Sequence, residues 1–249
     1  MKRFAAGAAA LVLTHAALAA DPGPNDWKRS ALYVTGIADI DSQGKVEHID
    51  LLPVEDNGGK RLAALLAPIA KSTMSHWEFE PATENGKPAA AHTFLHGVFE
   101  FRNQGSNYEA RFVFVGNGPA LKKGRAPWYP SHMGDARVQA LLNMLVLVQP
   151  DGSLSDIHLE SAQSTGGQSV AEFVRAATET MMAWHAEPET VDGHPVKTWI
   201  RVPISFEMRD RPATQLEKSV DSPAAPFTSS PGDLSFALDS PIKMRAHSP

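Results

Sequence analysis

The sequence predicts an α+β fold of two tandem ββαβ units, each an antiparallel three-stranded sheet packed by one helix, with the first sheet extended to a fourth strand. Three observations lead there. The phrase "WEFEPATENGKP" (77–88) returns more faintly as "WHAEPETVDGHP" (184–195). A turn signal at Pro150-Asp151-Gly152 joins two β-rich runs and is followed by apolar residues at helical spacing. Finally, "VKTWIRVPISFEM" (196–208) alternates apolar and polar residues along its length, the period of a half-buried strand.

The second unit has the cleaner pattern. "NMLVLVQPDGSLSDIHLES" (143–161) reads as a hairpin, because Pro fixes φ and Gly accepts a positive φ. In "SVAEFVRAATETMMAW" the residues Val170, Phe173, Val174, Ala177, Met181 and Trp184 share one helical face, and Ser169 with Glu172 spells a capping box. The helix must stop before Pro188, which places Trp184 on its last turn. After the Asp192-Gly193 reversal, Val196, Thr198, Ile200, Val202, Ile204, Phe206 and Met208 form one face of a strand and Lys197, Arg201 and Glu207 the other. Pro203 inside that strand marks it as a sheet edge, since proline has no N–H to give a neighbour.

The first unit repeats the order. "ALYVTGIADID", a turn at Ser42-Gln43-Gly44 and "KVEHIDLL" form the hairpin. A helix near 60–76 carries Leu62, Leu65, Leu66 and Ile69 toward Trp77, with Pro68 as a kink, and a strand runs from Ala89 to Arg102. "YEARFVFVG" comes after a five-residue turn, "NQGSN", and should cover that strand's edge. The motif residues Trp77, Pro81 and Gly86, with Trp184, Pro188 and Gly193, mark the helix end and the reversal in each unit. The tryptophans are expected to plug helix onto sheet.

The expected boundaries are a signal peptide at 1–19, a first domain at 30–116, a linker at 117–128, a second domain at 129–209 and a disordered Pro/Ser-rich tail at 210–249. "MKRFAAGAAALVLTHAALAA" has the charged start, apolar middle and small-residue end of an export signal, which points to the periplasm; retained, it would be an inner-membrane anchor. A net charge of −5 argues against a nucleic-acid partner. The absence of cysteine removes disulfides, thiol nucleophiles and thiolate metal sites. "DIDSQGKVEHID" (39–50) nearly spells a calcium loop, yet Gln43 and Asp50 stand where stronger ligands belong, so the hairpin reading is preferred. His92 and His96 lie on one strand face about 13 Å apart at a strand's rise, too far to chelate one ion, and read as surface histidines. No nucleophile elbow, zinc pair or phosphate loop is present, and nothing calls for a cofactor or a metal.

These residues resemble a known family. Gly152 after Pro-Asp, Ser161, the helix closing on Trp184, "EPETVDGHPVK" and "VPISF" together resemble the C-terminal domain of TonB, the energy transducer of Gram-negative envelopes. "WYPSHMGDARVQALL" (128–142) is similar to the lead into that domain, and "WEFEPATENGKP" with "GVFEF" resembles the same motif in the first unit. The resemblance implies a non-catalytic protein that captures an extended segment of an outer-membrane receptor or other envelope protein by strand addition beside its third strand. By position, the partner-binding segment is Thr198, Trp199, Ile200, Arg201 and Val202, with Trp199 and Arg201 facing outward. Three forms of that reading stay open: a soluble adaptor, a membrane-anchored transducer, and a self-associating structural protein that dimerises through its open edge.

Overall fold

The structure is a computed structural model that describes residues 27–53, 60–104, 107–208 and 235–245. The export segment at 1–19 lies outside the described residues. The chain begins with β1 (Lys28–Ile40) and β2 (Val46–Leu51), an antiparallel hairpin. Gly44 makes the turn possible: its φ is +86°, and a Cβ there would run into the carbonyl oxygen of Phe79. The Asp41 carboxylate accepts the N–H groups of Gln43 and Lys45 at 2.8 Å each, so this acidic run serves the turn.

Next, α1 (Lys60–Met74) packs Leu66, Ala70 and Met74 into the core, the i, i+4, i+8 row of its surface. The expected apolar face is wider than the observed one. Leu65 and Ile69 are 61% and 52% exposed, because the sheet meets the helix along that single row; the Leu62 side chain lies outside the described set. Pro68 sits inside the helix.

After Trp77 come β3 (Phe79–Glu80), β4 (Ala82–Glu84) and β5 (Lys87–Ala89). Asn85 and Gly86, with φ of +52° and +76°, form the two left-handed positions of a tight hairpin turn between β4 and β5. The long β6 (Ala91–Gln104) then pairs with β1 on one side and with β7 (Asn107–Gly118) on the other. Gln104 stands opposite Asn107, so the strands run into the expected five-residue turn and shorten it.

The second half opens with β8 (Ala120–Lys122), inside the stretch expected to be linker, and α2 (Ser131–Asp135). There follow β9 (Ala140–Val148), β10 (Leu154–Ser164), α3 (Ala171–Met181), β11 (His185–Glu187), β12 (Thr190–Val191), β13 (His194–Pro195) and β14 (Thr198–Phe206). The capping box does not form, because α3 starts beyond it: its N-cap is Val170, and Ser169 Oγ reaches only the Ala171 N–H at 3.4 Å. Trp184 lies just past the helix, its N–H bonded to the Met181 carbonyl. Gly152, φ +81°, repeats the Gly44 arrangement, with the Ala186 carbonyl oxygen where a Cβ would need to be.

Strand order is β2-β1-β6 in the first half and β10-β9-β14 in the second. The fold is therefore mostly antiparallel sheet with packed helices. The halves are stitched together, however. β12 pairs with β6 through Thr190↔His92 and Val191↔Ala91, adding two strands of the second half to the first sheet; within the second half, β8 pairs with β11.

The tail departs most from expectation. Residues 236–237 form β15 against β14, and 243–244 form β16 against β3. Ile242, 1% exposed, belongs to the first core with Trp77, Phe79, Leu95 and Phe99. The Pro/Ser-rich composition of 210–234 hides a short apolar stretch beyond it. Side chains of that size gain about 1.5–3 kcal/mol each by leaving water, which is enough to hold such a segment down.

Candidate functional site at the edge of strand 14

Alternation sets the chemistry of β14. Thr198, Ile200, Val202, Ile204 and Phe206 are buried, the last four in one core with Phe173 and Ala177 of α3, while Trp199, Arg201, Pro203 and Ser205 are partly exposed on the other face. The backbone alternates as well. The Trp199 carbonyl accepts the Leu238 N–H at 2.8 Å and the Trp199 N–H donates to Asp239 Oδ1 at 2.7 Å, so Trp199 points its backbone away from β9. At a period of two, Arg201, Pro203 and Ser205 turn the same way. Pro203 thus places its missing N–H on the outer edge, where β15 covers Ile200 and Arg201 alone.

This geometry divides the five residues expected to bind a partner. Trp199 and Arg201 present backbone to the edge. Thr198, Ile200 and Val202 turn their backbones to β9 and their side chains inward. Trp199 meets His158 edge to face at 5.5 Å, and Arg201 holds Glu160 through two 2.5 Å bonds across its own sheet. These bonds push the Arg201 guanidinium up and Glu160 down, fixing both charges.

Beneath the edge lies a buried carboxylate that sequence reasoning missed. Glu189 is fully buried and gathers donors from both halves and the tail. Its Oε1 accepts the Thr93 hydroxyl at 2.6 Å, the Ser240 hydroxyl at 2.8 Å and Asn117 Nδ2 at 3.3 Å; its Oε2 accepts the Thr198 hydroxyl at 3.1 Å. Burial pushes its pKa up against those four hydrogen bonds. Asn117 Nδ2 also donates to Ser240 Oγ at 2.9 Å and to the Ile242 carbonyl at 3.1 Å. A signal for Glu189 did exist, since Ala82 occupies its place in the first phrase.

His96 is not a surface histidine. It is 6% exposed, shares a 3.0 Å bond between Nδ1 and the Thr35 hydroxyl, lies edge-on to Phe236, and leaves Nε2 buried without a partner. Burial lowers its pKa to about 4, so it is neutral at physiological pH. His92 lies nearer the surface and bonds Asp39 at 2.7 Å.

The motif residues fall at the two reversals. Trp77 stacks on Phe112, and Trp184 donates from Nε1 to the Arg125 carbonyl at 3.0 Å; both rings are buried. Pro81 and Pro188 are partly buried beside them, and Gly86 and Gly193 take φ of +76° and +78° in the turns. Among the described residues, no cluster of three or more potential ligands could hold a metal ion, and no helix is long and apolar enough to cross a membrane.

Residues 125–208, about a third of the chain, match the family model described as the Gram-negative bacterial TonB protein C-terminal. No curated protein matches the chain.

Proposed function

We propose that the protein is a non-catalytic periplasmic binding module that captures an extended segment of an envelope protein as an added strand beside β14, a reading supported by the match of residues 125–208 to the TonB C-terminal family model. In the family pattern that partner is an outer-membrane receptor. One observation carries the reading: among the described residues, the outer edge of β14 is covered from Trp199 to Arg201 alone, and Ser205 beyond it turns its backbone to that side without a ladder partner. Five ladder bonds at about 0.5–1.5 kcal/mol each give roughly 2.5–7.5 kcal/mol, which association costs largely offset. Affinity therefore rests on side-chain pockets along the edge. The first half, with strand order β2-β1-β6 and the phrase at 77–88, is on this reading a second copy of the ββαβ unit. Its corresponding edge is closed by β7. The domains are then 30–116 and 129–209, exported behind a cleaved signal.

The test is photo-crosslinking in the envelope of the source cell, with a photoreactive residue at Ser205 and a control at exposed Glu47. The reading predicts cross-links from Ser205 alone, to one extended segment of an outer-membrane protein. Equal labelling from both positions, or none from Ser205, would contradict it.

A further inference from the structure

The segment that covers β14 is held in an unusual way. Its ladder with β14 spans Ile200↔Ala237 and Arg201↔Phe236. Beyond the Leu238 N–H bond to the Trp199 carbonyl and the β16 ladder on β3, what fixes it is specific to side chains. Phe236 rests against the His96 ring and over Gly116, where a Cβ would come within 2.6 Å of the phenyl ring. Ala237 lies against Gly118, whose Cβ would approach it to 2.9 Å. Two glycines of β7 thus form a slot that takes an aromatic residue and then a small one. Asp239 caps the Trp199 N–H. The Ser240 hydroxyl donates to Glu189 and accepts from Asn117 and from the Ile242 N–H at 3.0 Å, which fills its bonding capacity. Ile242 enters the first core, and Arg245 reaches Glu78 and the Gln43 carbonyl.

Leu238 is 46% exposed and Asp239 lies in solvent. The segment buries Ser235, Ser240 and Ile242 and leaves Leu238, Asp239 and Lys243 exposed, an alternation of anchored and free side chains that a bound extended peptide also shows. The 26 residues from 209 to 234 join it to the end of the second half.

We propose that Ser235–Arg245 is a built-in competitor for the β14 edge, and that it states what the groove recognises. That ligand is an extended peptide of an envelope protein with an aromatic, a small, an acidic, a serine and an aliphatic residue at the spacing of Phe236, Ala237, Asp239, Ser240 and Ile242. The inference rests on the strand-capture reading of β14. Its chemistry is discriminating, because a peptide without the serine leaves Asn117 and Glu189 short of a partner in a buried site. Capture is also gated: the segment is covalently linked to the edge it covers, so a partner in trans must match it or arrive when it is released.

The experiment uses the full chain and a fluorescent synthetic peptide of residues 234–246, with binding read by anisotropy. Wild-type protein should bind the peptide about tenfold or more weakly than Ile242→Asp, whose own segment is ejected. Asp239→Ala removes only an exposed cap, keeps the fold, and should fall between them. The same peptide carrying Phe236→Asp should bind none of the three. Equal affinity for wild type and both variants, or binding by none, would overturn the proposal. A concentration-dependent dimer of the wild type in light scattering would overturn it too, since the segment would then serve a second copy. If the peptide binds as expected while cross-linking from Ser205 finds no outer-membrane segment, the competitor stands and the capture reading falls.

Discussion

β6 and β14 hold the same place in the strand order of their halves, and each carries a buried threonine, Thr93 or Thr198, that donates its hydroxyl to Glu189. From there the two strands diverge. β6 is paired along its outer edge by β7 from Phe94↔Gly118 to Gln104↔Asn107, whereas β14 is paired by β15 at two positions. Three positions beyond its threonine, the first strand carries buried His96 and the second carries Arg201, ion-paired at the surface. A closed edge makes a strand part of the scaffold; an open edge of the same type is a template for another chain. One sheet architecture thus allows both arrangements, and the difference lies with the next segment of chain: β7 turns straight back onto β6, whereas β15 reaches β14 only across the stretch 209–234.

Changes at residues 82 and 189 should disturb the pairing of the two halves most. Glu189→Ala leaves four buried donors short of an acceptor and should cost about 3–5 kcal/mol, since each buried unsatisfied group costs about 1–3 kcal/mol and the hydroxyls can partly reorient. Ala82→Glu puts a carboxylate into an apolar core without donors and should cost at least as much. Urea unfolding of both variants checks this, and Glu189→Gln should lose less than Glu189→Ala.

Acid should come second, acting on the first half through His96. His96 has a folded pKa of about 4, below its ordinary value near 6.5, because burial disfavours its charged form. The stability it contributes is therefore fully present above pH 6.5 and falls as pH drops from 6.5 to 4, as the unfolded chain takes up the proton first. At about 1.4 kcal/mol per pH unit, the loss approaches about 3 kcal/mol. Arg201 in β14 keeps its charge throughout that window. Unfolding midpoints at pH 4 and 7 should differ less in His96→Gln than in wild type by that amount.

Gly44→Ala and Gly152→Ala should be matched losses, about 1–3 kcal/mol each, since each puts a Cβ at positive φ against a backbone carbonyl. Thermal melts that differ strongly between the two would show that the hairpins do not play equivalent parts. Arg201→Ala should matter least: it breaks a partly exposed ion pair and should cost about 1 kcal/mol or less in urea unfolding.

How much of this was legible in the sequence depends on range along the chain. The Pro150-Asp151-Gly152 hairpin and the alternation of β14 can be read directly, because a few neighbouring residues dictate them. The buried face of α1 cannot, because Leu65 and Leu66 are equally apolar and only the sheet decides which one turns in. Glu189 reads as one more acid in a polar phrase; its meaning depends on Thr93, Asn117 and Ser240, the last of which lies 51 residues away. His96 reads as exposed because the ring that covers it, Phe236, comes from the far end of the chain. The docked tail was legible only in part: Phe236, Leu238, Ile242 and Met244 do break the polar composition, but no local rule says which edge they seek.

Whether the edge of β14 opens is read most simply by amide hydrogen exchange on the ¹⁵N-labelled full chain, comparing Trp199 and Arg201 in β14 with Val98 and Phe99 in β6. The β14 amides should exchange through local release of residues 235–245, faster than the β6 amides and independently of them. If Trp199 and Arg201 are instead protected to the same level as Val98 and Phe99, the edge of β14 is as closed as that of β6, and there is no site for another strand.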